Sequence, residues 1–308
     1  MNSAIHAKRV RYIKLGREGG WEDECLKNGI VRFGFGSGTD ERFPICRDGK
    51  WLELTASFLA SGKDKGTATR FTNETRLFFE DDGLILWITF MFEKLHWGFL
   101  TPTPAEKHGS GDGVYRKVAG GWKSADIKDN LLTKNTLSGV VTKLAAYRGT
   151  SCDASDAADY VIRRINGQQS PQAEKATAVL DDLKFAVLDM IQLLNDKDFE
   201  TLVDLIFIRS GWRRIGQVGG LQKTIDIPLI LPTTGEKAFV QVKSKASQAE
   251  FDEYANLFRS LDYNRMFYAY HKGTVTTGDD GISLLDGSKL AEMAVDAGLV
   301  SWLIEKVA

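Results

Sequence analysis

Asp226, Gln241 and Lys243 interrupt two otherwise apolar stretches, Thr224-Ile-Asp226-Ile-Pro and Phe239-Val-Gln241-Val-Lys243. A spacing of two puts Gln241 and Lys243 on the same face of a strand. If residues 224–231 and 237–243 pair as a hairpin, Asp226 lies at its strand end near both. A hard divalent cation takes oxygen ligands, at least one of them anionic. The Asp226 carboxylate, the Gln241 amide oxygen and the Val242 carbonyl supply such a set. The Lys243 ammonium can orient a water or offset charge developing at phosphorus. Glu200, near the start of the preceding helix, can reach the cluster directly or through a water. The chemistry these types support is phosphodiester hydrolysis assisted by Mg2+, with Mn2+ as a substitute. The structural alternative is a half-buried Asp226–Lys243 ion pair with Gln241 filling an edge.

These residues need a scaffold, and the last 110 positions read as alternating helix and strand. A helix opens near Asp198 and ends at Ser210-Gly211. Strands are expected at 212–218, 224–231 and 237–243, then a helix over 248–259 and a strand over 265–271. A strand at 282–285, a helix at 287–297 and a short strand at 299–303 close the chain. This pattern predicts an α/β domain with a mixed sheet over 181–308. Before it, residues 151–180 read as a helical linker, with Asn166-Gly-Gln-Gln-Ser-Pro171 as a break and Val179, Leu183, Val187, Met190 and Leu194 at helical spacing.

Residues 1–150 have a different character. They hold five of the seven tryptophans. Short strands are expected at 10–15, 30–35, 76–80, 84–92, 95–100 and 113–118, with a hairpin about Glu93-Lys94 and helices at 20–28, 51–59 and 131–147. Such spacing predicts a small, curved, β-barrel-like domain and an α+β chain overall. Clustered aromatics suit a pocket that sandwiches a flipped base. Trp21, Phe33, Trp87 and Trp97 are the candidates, although aromatics at strand spacing are usually core. Trp21 stands out because it follows the loop Gly16-Arg-Glu-Gly-Gly20.

Composition narrows the partners. The net charge is −1, with 40 basic and 41 acidic side chains, so DNA cannot be coated by bulk charge and any contact is local. The balance is +5 over residues 1–150 and −6 over 151–308. Three cysteines without a C-x-x-C and four scattered histidines point away from a disulfide framework or a zinc cage. The absence of a signal-like start or a membrane-length apolar run predicts a soluble cytoplasmic protein with no membrane partner.

The order of the motifs adds a resemblance. A helix with Phe199-Glu200, then Gly211-Trp212, Ile225-Asp226-Ile227 and Val240-Gln241-Val242-Lys243-Ser244 resembles the Mrr-like branch of the PD-(D/E)xK restriction-endonuclease superfamily, in which glutamine replaces the second acidic residue. The tail Ile282-Ser-Leu-Leu-Asp-Gly-Ser-Lys-Leu290 is similar to the segment closing that catalytic domain. The resemblance spans about residues 195–305. It implies Asp226 as the acidic metal ligand and assigns the family's glutamine, lysine and helical glutamate to Gln241, Lys243 and Glu200. One departure is the turn Val218-Gly-Gly-Leu-Gln-Lys-Thr224, which lacks the family's aspartate. Tyr12-Ile-Lys-Leu-Gly16, Ile30-Val-Arg-Phe-Gly34-Phe and Leu86-Trp-Ile-Thr-Phe90…Leu95-His-Trp97 are similar to the PUA-like superfamily, which includes EVE readers of modified bases. Together the resemblances imply a modification-dependent (type IV) restriction enzyme. It would act on double-stranded DNA carrying modified cytosine, as a possible homodimer because cutting both strands takes two centres. Two alternatives stand beside it: a defence or repair nuclease gated by a ligand or a DNA structure, and a catalytically dead nucleic-acid-binding module.

Overall fold

The computed structural model describes residues 3–109, 113–215 and 225–308. The chain is α+β and divides into two compact units, residues 1–170 and 171–308.

In the first unit the elements run β1 (Arg9–Ile13), α1 (Glu22–Asn28), β2 (Ile30–Phe33), α2 (Arg42–Arg47), α3 (Trp51–Ala60), α4 (Lys65–Phe79), β3 (Ile85–Met91), β4 (Lys94–Phe99), β5 (Glu106–Lys107), β6 (Val114–Lys117), α5 (Gly139–Thr142), β7 (Ser151–Asp153) and α6 (Ala158–Ile165). Sheet order is β4-β3-β1-β7 in one sheet and β2-β6-β5 in another. A single bridge between Leu100 and Val118 joins them at one corner. The expected barrel is therefore absent: among the described residues the strands form two sheets rather than a closed ring. Gly98 makes the close approach at that corner possible, since a Cβ there would lie 2.3 Å from Val118 Cγ1. The hairpin turns through Phe92 and Glu93, both at positive φ, as a tight two-residue connection requires.

Three expectations for this unit are corrected. Residues 76–80 end helix α4 and are not a strand. Asp64 caps that helix by accepting from Thr67 N, and Ala68, Thr72, Thr75 and Phe78 bury one face at three- and four-residue spacing. Residues 131–147 are mostly bridges and short turns, with only α5 as α-helix. Residues 151–165 are part of this unit and not a linker: β7 pairs with β1, and Val161 and Ile165 pack in the same core as Val10 and Ile88.

The second unit runs α7 (Pro171–Leu193), α8 (Asp196–Arg209), β8 (Arg213–Arg214), β9 (Ile227–Leu231), β10 (Glu236–Lys245), α9 (Gln248–Ser260), β11 (Arg265–Lys272), β12 (Ile282–Leu285), α10 (Gly287–Asp296) and α11 (Val300–Val307). Its mixed sheet has the order β12-β11-β10-β9-β8; β10, β11 and β12 are mutually parallel, and β9 is antiparallel to both neighbours. Alternation along β10 builds two layers. Ala238 and Val240 face a core with α7, α8 and α10, while Phe239 faces a core with α9. The expected strand at 299–303 is helix α11, because Leu299 and Leu303, four apart, dock into the first of these cores. Asn195, not Asp198, caps α8 by accepting from Asp198 N. The turn at 218–224 that departs from the family pattern lies outside the described residues. Among the described residues no helix is long and apolar enough to cross a membrane.

Candidate functional site

The β9–β10 ladder ends at the pair Ile227–Val240. One step further, the two chains part and Asp226 stands opposite Gln241. At this fork the Asp226 carboxylate replaces a backbone partner: Oδ2 accepts from Val242 N at 2.8 Å and from Gln241 Nε2 at 2.5 Å. Gln241 is 2% exposed, and its Oε1 has no partner among the described residues. Burial pushes the Asp226 carboxyl above its ordinary range; the Val242 N–H opposes that shift, the Glu200 charge adds to it, and Lys243 and Arg214 oppose it. Asp226, Glu200, Val242 and Lys243 line one cleft of about 570 Å³, with Asp196, Lys197, Phe199, Ser244 and Lys245. The structure therefore brings Asp226, Gln241 and Val242 into direct contact and places Glu200 and Lys243 on the same cleft.

Lys243 has a partner the sequence reading did not name. Its Nζ lies 2.7 Å from Glu250 Oε1 and 5.2 Å from the centre of the Tyr254 ring, both on α9. Burial lowers its pKa, and the bonds to Glu250 and Tyr254 outweigh that, so the ammonium is held above its ordinary value. Glu250 sits three residues after the α9 cap Ser247, the position of a capping-box glutamate. Ser247 does accept from the Glu250 N–H. The glutamate side chain, however, turns to Lys243, which the cap pattern alone does not reveal.

Arg214 was also missed. It bonds the Asp226 carbonyl oxygen at 3.2 Å and Asp204 at 3.4 Å, and stands 4.0 Å from Glu200. It thus ties β8, α8 and the fork together. Its only sequence signal is a basic pair after Gly211-Trp212, which any surface strand can carry. Asp196 accepts from Ser244 Oγ on the cleft wall. Among the described residues, no group of three or more His, Cys, Asp and Glu side chains is arranged to hold a metal ion.

In the first unit the four aromatic candidates separate. Phe33 is fully buried and stacks on Phe78 at 4.6 Å. Trp87 is fully buried and donates to Asp81 at 2.8 Å. Trp97 is 3% exposed and donates to the Ala125 carbonyl at 2.8 Å. These three are core, each held by packing or by a polar handle. Trp21 differs. It lines a cavity of about 350 Å³ with Lys14, Gly16, Arg17, Gly34, Phe35, Arg148, Gly149 and Thr150. Arg116 is structural: it is 3% exposed and donates to the carbonyls of Phe78, Asp81, Thr101 and Thr103.

No family model matches the chain, and no curated protein or solved structure matches it either.

Proposed function

We propose that this chain is a metal-dependent DNA endonuclease of the Mrr-like PD-(D/E)xK kind, with a nuclease centre in the second unit and a PUA-like reader of modified bases in the first. The observation that carries the proposal is the fork between β9 and β10, where Asp226, Gln241 and Val242 meet at the wall of a cleft shared with Glu200 and Lys243.

The donor set fits Mg2+. Every candidate ligand is a hard oxygen, and the orphaned Gln241 Oε1 is a buried acceptor with no protein partner among the described residues. Asp226, Gln241 and the Val242 carbonyl would hold the ion, with Glu200 reaching it directly or through water. Bound there, Mg2+ supplies charge for the phosphoryl oxygens and acidifies a water. Asp226 keeps its position through the Val242 N–H, and Arg214 holds the backbone beside it. Lys243 supplies a cation on the cleft wall for the phosphate.

One observation favours the dead-fold reading. Lys243 is paired with Glu250 and Asp226 with Gln241, so the polar groups largely satisfy one another. A cleavage assay decides. One duplex is offered unmodified, with 5-methylcytosine and with 5-hydroxymethylcytosine, in Mg2+ and in EDTA. Cutting of a modified duplex in Mg2+ alone, abolished in Lys243→Ala with DNA binding kept, is the expected result. Equal cutting of all three discards the reader and keeps the nuclease. No cutting, with no Mg2+-induced rise in melting temperature, discards the nuclease.

A further inference from the structure

Behind the Trp21 pocket lies a chain of polar contacts that the nuclease reading does not use. The Arg32 guanidinium carbon stands 4.3 Å from the centre of the Trp21 ring. Its side chain is 7% exposed and does not line the pocket. Arg32 Nη1 donates to Glu24 Oε2 at 2.8 Å, and His108 Nε2 meets Glu24 Oε1 at 2.7 Å. Both oxygens of that carboxylate are thus engaged. Its pKa is held below the ordinary range, first by the bond to His108 and also by Arg32. Glu24 lies in the first turn of α1, whose N-cap is Trp21, and Arg32 lies on β2. The chain therefore fixes the start of the helix, and its tryptophan, against the strand.

Two further contacts hold the ring. Gly16 is at positive φ, and a Cβ there would lie 2.9 Å from the Trp21 ring atoms. A Cβ at Gly34 would lie 3.6 Å from Trp21 Cη2. The indole is thus set between two backbones and a guanidinium before any ligand arrives.

Arg32 already draws on the ring quadrupole that would attract a second cation to this indole. The rim adds Lys14, Arg17 and Arg148, all repelling positive charge. A neutral planar ring bearing an anionic group meets neither penalty: the ring can pack against Trp21 where it lines the cavity, and the anion can face the basic rim. We infer that the Arg32–Glu24–His108 chain is a positioning device for Trp21, and that with the basic rim it makes this pocket select a nucleotide over a cationic ligand such as a methylated ammonium. The inference rests on the base-reading function proposed above and names the ligand class and the residues that set it.

Calorimetric titration of the full-length protein tests it with three probes: 5-methyl-dCMP, its nucleoside, and trimethyl-lysine. The expected result is that the mononucleotide binds at least tenfold more tightly than the nucleoside, that trimethyl-lysine binds weakest, and that Trp21→Ala loses the mononucleotide. Arg32→Gln weakens the mononucleotide about tenfold and narrows its preference over trimethyl-lysine. A merely structural role for Arg32 would weaken all three probes alike, and that outcome, or an unchanged Arg32→Gln, overturns the positioning device while Trp21-dependent binding keeps the reader. If wild type binds none of the probes, or Trp21→Ala binds as wild type does, the reader falls with it. Should Arg32→Gln not fold, Glu24→Gln makes the same comparison, because it keeps the hydrogen-bonding shape and removes the charge that anchors Arg32.

Discussion

At the scale of single residues, the fork is the most informative feature. A carboxylate that takes the place of a backbone acceptor is both structural and chemically poised. Asp226→Asn keeps an oxygen for the Val242 N–H but removes the anion. We expect it to fold, to lose cleavage by about 10²-fold or more, and to lose the Mg2+-dependent stabilisation, which amounts to about 2.7 kcal/mol at a hundredfold excess over Kd and is read as a rise in melting temperature. Retained cleavage in this variant would remove Asp226 from the centre. His271 offers a prediction that does not depend on activity. It is 8% exposed, stands edge-on to Phe199, and neither ring nitrogen has a partner among the described residues. Burial lowers its pKa. The unfolded chain then binds the proton more readily, so the contribution to stability is complete above the unfolded value of about 6.5 and is lost as pH falls toward the depressed one. His271→Leu should keep its melting temperature at pH 7 and lose less than wild type between pH 7 and pH 5. Parallel acid losses in the two proteins would show that His271 does not govern that limb.

At the scale of elements, most strands and helices around the Asp226 fork were legible because their patterns are local. β10 announces itself by apolar alternation with Gln241 and Lys243 as exceptions, and β12 falls where its apolar run predicts. The misreadings share a cause. Residues 76–80 and 299–303 are short apolar runs, for which period alone does not separate strand from helix. Only their tertiary partners, the α3–α4 packing and the α7–α11 contact, decide. Trp87 and Trp97 misled for a related reason: spacing reveals a face but not what covers it. The partners of Lys243 and Asp226, Glu250 on the next helix and Arg214 on the preceding strand, were invisible because neither departs from its element's pattern: Glu250 sits where a capping-box glutamate would and Arg214 is one of a basic pair. Gly98 shows how closely one element depends on another. Gly98→Ala would push a methyl into Val118 at the corner joining the two sheets, and should cost about 1–3 kcal/mol by denaturant unfolding. An unchanged midpoint would mean that the corner opens freely.

For the whole molecule, the division at Ser170/Pro171 separates two units with their own cores. The turn-rich segment 166–170 precedes a helix, α7, whose first twelve residues are exposed. Limited proteolysis should cut within or just after this segment and leave two resistant fragments, of about 170 and 138 residues. Cleavage spread through both units instead would show that neither holds together alone.

The Lys243–Glu250 contact has a consequence for when such a molecule acts. A lysine already paired with a carboxylate offers little pull to a passing polyanion, and the half of the chain that carries it has an excess of acidic side chains. DNA drifting into the cleft by itself would meet repulsion. A phosphate brought there by a neighbouring grip would instead displace Glu250, exchanging one anion for another without stripping water from a bare cation. Under the nuclease function proposed above, the resting state is thus discouraging by default, and hydrolysis becomes conditional on delivery.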